Sequence, residues 1–378
     1  MAKVAITLAI VLAAAGCVDA EPVAAPGEPP PPVVGALPPE RGRPVLPTGY
    51  AAGPAATGLV DPRALAFDDD GAAHVLEGEP ARLSRLTPAG LVPVANGDGN
   101  GPWTGLARVD GVFYVAEAGG PLGGRVLRVG PDGGLVPVVA DLPAGGLVGP
   151  LAAGPGADLL VGVASGVGAA DIPCQDVHLA DGRAVEGRVP CTGSVLRIDP
   201  RGGPVELHSW GYSRPESLAF TPEGALLVVD GIPASDATRP QLAAADVLWR
   251  AEAGVRYGLP GATDQLALAD PRLAGYPNPP PPPIATLGGD VRALAVTGQA
   301  AFGGSVQAFA GRGDGTIVFT SLASGVTVPF AANLVAPAAL AFHPRDGALW
   351  AADAATGVVW RIVALGGGGS STFPGNVP

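Results

Sequence analysis

Few residues of this chain can move a proton or hold a metal. Its 378 residues include four histidines (His74, His178, His208, His343), three cysteines (Cys17, Cys174, Cys191) and one lysine, Lys3. An imidazole serves as general base only within hydrogen-bond reach of a substrate hydroxyl and with a carboxylate to orient it. His74 and His208 fall in strand-like runs and His343 in a turn, which reads as framework. His178 remains as the weak candidate base, in a long insertion where Asp171, Gln175 and Asp176 flank Cys174. These three could line the mouth of a cavity, and a solvated loop explains them as well. One histidine beside two cysteines falls short of a zinc quartet. Arg214 and Glu216, separated by Pro215, form the other polar constellation. They can bind a polar ligand, or pair with neighbouring walls as structure.

These residues are positioned by a phrase repeated six times: a Leu-Ala pair in a short strand, a Pro/Asp/Gly turn, then a second apolar strand. It reads ALAFDDDGAAHVLE from Ala64, GLARVDGVFYVAE from Gly105, LAAGPGADLLVGV from Leu151, SLAFTPEGALLVVD from Ser217, ALAVTGQAAFGG from Ala293 and ALAFHPRDGALWAAD from Ala339. Several copies continue into a third strand bearing an arginine: Arg85, Arg128, Arg197, Arg250 and Arg361. Repeats spaced by roughly 40 to 75 residues, with turn signals inside each unit, predict an all-β, six-bladed β-propeller. Function is then expected where the innermost strands and interblade loops converge on the central channel. The recurring arginines read as structural or solvent-facing groups.

Bulk composition narrows the partners. Hydrophobic residues make up 47% and charged residues 15%, and the 58 glycines and 43 prolines punctuate strand-like runs. The formal net charge of −12 and the absence of basic runs argue against a nucleic-acid partner, because phosphate affinity comes from clustered Lys and Arg. No Gly-x-Gly-x-x-Gly fragment follows a strand and opens a helix, so dinucleotide binding is not expected.

The first 17 residues, MAKVAITLAIVLAAAGC, have one basic residue, an apolar stretch too short to span a bilayer, and small residues before Cys17. This reads as an export signal, and AAGC resembles a bacterial lipobox with Cys17 as the lipidated residue. Residues 18–47 read as a Pro-rich tether, 48–365 as the propeller and 366–378 as a flexible tail. The expected location is therefore the cell envelope, with the chain anchored to a membrane and facing the periplasm or exterior. In an oxidising compartment Cys174 and Cys191, left within one loop, are expected to form a disulfide.

The segment from Asp171 to Phe220, with IPCQD, a second cysteine before GSVLRI, and WGYSRPESLAF, resembles the glucose/sorbosone dehydrogenase-like proteins. These are six-bladed propellers related to soluble pyrroloquinoline quinone (PQQ) sugar dehydrogenases, and the resemblance extends roughly over 49–365, through Arg239-Pro240, YGLP and YPNPPPPP. It implies oxidation of a sugar hydroxyl, with a histidine taking the proton and hydride passing to PQQ held by calcium and arginines. It also implies that Arg214, Glu216 and Asp230 face the channel, and that carbonyls of the Asp230-Gly231-Ile232-Pro233 loop, at Ile232 and Pro233, are calcium candidates. At the place of the catalytic histidine, however, stand Gly146 or Leu147, and no histidine occurs between His74 and His178. The orienting aspartate falls near Ser165, and Arg-Asn becomes Ser213-Arg214. Loss of a general base forfeits a factor of about 100 to 10,000. The expectation is a divergent member that keeps a binding channel and has lost the oxidation, with an active PQQ- and calcium-dependent dehydrogenase using His178, or a purely structural envelope propeller, as alternatives.

Overall fold

A computed structural model describes residues 42–120, 123–144, 147–165, 174, 177–178, 184–185, 188–231, 245–257 and 281–365. Strand β1 (Tyr50–Ala56) precedes six four-stranded antiparallel sheets, the blades, to the last of which it belongs. Blade 1 is β2 (Pro62–Phe67), β3 (Ala73–Glu77), β4 (Arg82–Thr87) and β5 (Gly90–Asn96). Blade 2 is β6 (Trp103–Val109), β7 (Val112–Gly120), β8 (Gly123–Val129) and β9 (Leu135–Leu142). Blade 3 opens with β10 (Val148–Ala153) and β11 (Leu159–Val163), carries the small hairpin β12 (Val177–His178) and β13 (Ala184–Val185), and closes with β14 (Ser194–Ile198) and β15 (Glu206–Trp210). Blade 4 is β16 (Pro215–Phe220), β17 (Leu226–Gly231), β18 (Asp246–Ala251) and β19 (Ala285–Gly288). Blade 5 is β20 (Val291–Thr297), β21 (Gln307–Arg312), β22 (Ile317–Ser321) and β23 (Thr327–Ala331). Blade 6 is β24 (Pro337–Phe342), β25 (Leu349–Asp353), β26 (Val358–Ala364) and, on its outer edge, β1.

The first strands β2, β6, β10, β16, β20 and β24 lie against one another in sequence, and β24 returns to β2, so the ring is closed. Pairing of β1 with β26, from Tyr50↔Ala364 to Ala56↔Val359, covers a strand edge that would otherwise be open. Residues 42–47, assigned above to the tether, also lie on the propeller: Val45 and Ala332 exchange backbone hydrogen bonds of 2.8 and 3.0 Å.

Apolar packing is divided into six clusters, one between each pair of neighbouring blades, such as Leu76, Leu83, Trp103 and Val115 between blades 1 and 2. A blade sandwiched in this way buries both faces of its inner strands, which is why the second strands read as continuous apolar runs, for example LLVGV in β11, with every residue buried. Prolines 54, 93, 137 and 329 sit in the outermost strands, where a missing N–H breaks no ladder. Of the recurring third-strand arginines, Arg85, Arg197 and Arg361 pair with Asp68, Asp158 and Asp346 in the first hairpin of their own blade, and Arg128 and Arg250 are exposed. Cys174 and Cys191 are bonded, with Cα atoms 5.0 Å apart, fastening the blade 3 insertion beside β14. Among the described residues no helix is long and apolar enough to cross a membrane.

Candidate functional site

Each innermost strand begins in the same way. Its first residue faces the end of the second strand (Pro62↔Glu77, Trp103↔Glu117, Val148↔Val163, Pro215↔Asp230, Val291↔Arg312, Pro337↔Asp353), and a register shift follows immediately. The shift releases the next residue from the ladder and lets it turn toward the channel mouth. Around the ring the released residues are Arg63, Thr104, Gly149 with Pro150, Glu216, Arg292 and Ala338.

Beneath this ring, buried carboxylates at the ends of the second strands hold the lead-in loops. Glu77 accepts the Val60 N–H at 2.7 Å. Asp230 accepts the N–H groups of Ser213 and Arg214 at 2.9 and 2.8 Å. Asp353 accepts those of Val335 and Ala336 at 2.6 and 3.2 Å. Asp230, expected from the sequence to face the channel, is instead fully buried. Its side chain is turned inward because the loop carrying Arg214 has backbone donors that only an internal acceptor can satisfy.

Three blades carry a charged pair above this layer. Arg63 Nε donates to Asp61 at 2.8 Å, Arg214 Nε donates to Glu216, and Arg292 donates through Nε and Nη2 to Asp290 at 2.9 and 2.8 Å. Each pair rests on a glycine just past the second-strand position. A Cβ on Gly78 would lie 2.7 Å from Arg63 Cγ, one on Gly231 would lie 3.0 Å from Glu216 Oε1 and Arg214 Nη2, and one on Gly313 would collide with Asp290. In the other three blades the released residue is small or uncharged, and the shelf residue is Ala118, Ala164 or Ala354. Within one chain, the shelf is glycine where a pair lies on it and alanine where none does.

The pairs of blades 1, 4 and 5 act on one another. Burial pushes the Glu216 carboxyl up to about 6; Asp246 and Asp290 add to the rise, and Arg214 opposes it. Asp246, which accepts the Val291 N–H across the blade 4–5 junction at 2.5 Å, is raised mainly by burial. Arg292 is raised chiefly by its hydrogen bond to Asp290, and Glu216 and Asp61 also act on it through space. Glu216 is therefore a partly buried carboxylate whose proton exchange is raised to about pH 6, at the channel mouth and among guanidinium groups.

No described histidine side chain joins this cluster. His74 is buried against Phe113 with ring centroids 4.3 Å apart, and burial lowers its pKa. His208 lies in the outermost strand of blade 3 and is likewise lowered by burial. His343 contacts the Gly71 carbonyl at 3.0 Å in the turn after β24, at the far end of the strand from Pro337. His178 lies in β12, its backbone paired with Ala184, and the placement of its side chain is outside the described residues. Asp171, Gln175, Asp176, Ile232, Pro233, Gly146 and Cys17 also lie outside them. Leu147 packs against the cluster between blades 2 and 3, and Ser165 donates to the Tyr212 carbonyl at 2.9 Å, a link between blades 3 and 4.

Of the sequence candidates, Arg214 and Glu216 stand together at the mouth, whereas Asp61, Arg63, Asp290 and Arg292 were not singled out. The signal lay in the repeat itself. Two residues ahead of each phrase's Leu stand Arg63, Thr104, Gly149, Glu216, Arg292 and Ala338, and every phrase as delimited above opens one or two residues after that position.

Solved structures share this architecture. An oxidoreductase of glucose dehydrogenase type from Thermus thermophilus superposes with a TM-score of 0.62 at 21% identity, over 83% of this chain and 100% of that one. The PQQ-bound aldose sugar dehydrogenase of Streptomyces coelicolor gives 0.61 at 18% identity, over 84% and 99%. The PQQ domain of pyranose dehydrogenase from Coprinopsis cinerea gives 0.61 at 11%, over 87% and 98%. The fold is that of the sugar dehydrogenase propellers. No family model matches the chain, and no curated protein matches it. At these identities the likeness carries the scaffold, and the mouth must be read from its own residues.

Proposed function

We propose that this chain is an exported, lipid-anchored propeller that holds a small polar or sugar ligand at one channel mouth and no longer performs the oxidation associated with its fold. The observation that carries the reading is that arginine–carboxylate pairs of blades 1, 4 and 5 stand at the mouth and no described histidine side chain joins them. Such pairs present donors and acceptors side by side, as a polyhydroxylated ligand requires. Three mouth guanidinium groups matched by three carboxylates leave no surplus positive charge for a quinone with several carboxylates, though one carboxylate can be exchanged for another. The carbonyl calcium candidates Ile232 and Pro233 lie outside the described residues.

The test is titration of the purified chain with aldoses, and with calcium and PQQ, followed by dye reduction. Sugar binding without turnover supports the reading. Turnover abolished by His178→Ala would establish the active dehydrogenase instead, and failure to bind any of these would leave a structural propeller. Anchoring through Cys17 is tested separately: Cys17→Ser should release the protein from the membrane fraction, and unchanged membrane association would refute it.

A further inference from the structure

Of the three pairs at the mouth, those of blades 4 and 1 hold their guanidinium less completely than that of blade 5. Arg292 is gripped by Asp290 through two nitrogens, but Arg214 meets Glu216, and Arg63 meets Asp61, through Nε alone. A guanidinium has five N–H donors, so the terminal nitrogens of Arg214 and Arg63 remain for a ligand. Their side chains are 56% and 50% exposed, against 24% for Glu216 and 29% for Asp61, so an incoming molecule meets the donors first. The group that takes two parallel N–H donors best is a carboxylate.

We propose that the mouth between blades 4, 5 and 1 selects a polyhydroxylated monocarboxylate, a sugar acid, whose carboxylate displaces Glu216 as the partner of Arg214, with Arg292 and Arg63 as further donors. This rests on the reading that the mouth holds a small polar ligand, and it departs from a neutral sugar as that ligand. Displacement is feasible because burial, with Asp246 and Asp290 nearby, raises the Glu216 carboxyl to about 6. Beside its own Arg214 it faces Asp246 from β18 and Asp290 and Arg292 from the start of blade 5; the buried Asp230 bears on Asp246, and Asp61 of blade 1 on the same Arg292. A ligand anion beside it favours its neutral form further. Glu216 then takes a proton from solvent, which forms its O–H bond, the ligand carboxylate keeps its charge, and no other covalent bond changes. The ligand's hydroxyls remain free to donate to Asp61 and Asp290.

The experiment is calorimetric titration of the full chain with glucuronate, glucose and glucosamine, in buffers of different ionisation enthalpy. Glucuronate is expected to bind on the order of tenfold tighter than glucose, the scale of one charged hydrogen-bond pair. Its affinity should fall by up to about tenfold from pH 6 to pH 7, with net proton uptake that Glu216→Gln abolishes. Arg292→Gln and, separately, Arg63→Gln should each erode the preference for glucuronate. Arg201→Gln, at an 88% exposed site on blade 3, should leave it unchanged. Thermal melts confirm that each variant is folded. Glucose binding as tightly as glucuronate, a preference for glucosamine, or indifference to both mouth arginine substitutions would overturn the proposal and leave the polar-ligand reading intact. Failure of all three probes to bind would overturn both.

Discussion

Blades 1, 4 and 5 differ from blades 2, 3 and 6 at two positions only a few ångströms apart, and the difference separates scaffold from site. In the first set a charged residue leaves the innermost strand and lies with its partner on Gly78, Gly231 or Gly313; in the second Thr104, Gly149 or Ala338 stands there, beside Ala118, Ala164 or Ala354. The layer beneath does not follow this division, because Glu77, Glu117, Asp230 and Asp353 occur in blades of both kinds. The buried carboxylates are therefore architecture, and the released residues with their glycine shelves are what was varied on it. Blade 3 lacks both, with Val163 at the carboxylate position, and it is the blade that carries the disulfide-bonded insertion.

The largest effect expected from breaking this comparison is in the architectural layer. Asp353, in a blade without a charged pair, accepts N–H groups from Val335, Ala336, Ala355 and Thr356. Asp353→Ala removes the acceptor of one buried and three less buried N–H groups and should cost about 2 to 3 kcal/mol in urea unfolding. Asp353→Asn, which keeps one acceptor oxygen, should cost less. Equal costs for the two would mean that the carboxylate does not act through these bonds.

A smaller effect separates the two layers by pH. Glu216 titrates at about 6 in the folded chain against an ordinary 4.5, so the folded state binds more protons over that interval. Stability contributed by this site is present at low pH and is lost as pH rises through the window, by about 1 to 2 kcal/mol. Glu216→Gln should flatten that part of the profile, with every other titrating group common to both proteins. Identical slopes for wild type and variant between about pH 4.5 and 6.5 would show that Glu216 is not shifted.

The ring was legible because six copies of one phrase fix strand order, and because strands buried on both faces read as apolar runs wherever they occur. Export-compartment reasoning likewise led to the Cys174–Cys191 bond. A third of the site was legible, in Arg214 and Glu216, because they lie in the WGYSRPESLAF passage that carries the family resemblance. The rest was not. Asp61-Pro62-Arg63 and Asp290-Val291-Arg292 carry no motif of their own, and only strand pairing brings the three separated segments to one mouth. Burial also separates residues that look alike in sequence. Asp230 and Glu216 both lie beside a turn, yet one is sealed under the loop and the other reaches the channel.

The shelves give the smallest and most discriminating test. Gly78, Gly231 and Gly313 are not held at positive φ, so alanine there is disfavoured by space alone. The obstructing atoms belong largely to half-exposed side chains that can swing away, so Gly231→Ala should cost about 1 kcal/mol of stability, the low end for overpacking. Its consequence should fall instead on the mouth, because the displaced Arg214–Glu216 pair no longer presents its donors together. A loss of ligand affinity on the order of tenfold is expected, the scale of one charged hydrogen-bond pair. The reverse change, Ala118→Gly in blade 2, has no pair to accommodate and should cost about 0.5 to 1 kcal/mol through chain entropy, with affinity unchanged. If Gly231→Ala and Ala118→Gly weaken binding equally, the shelf is only a spacer. If neither does, the pair above it is a surface ion pair, and the division between the two sets of blades has no functional meaning.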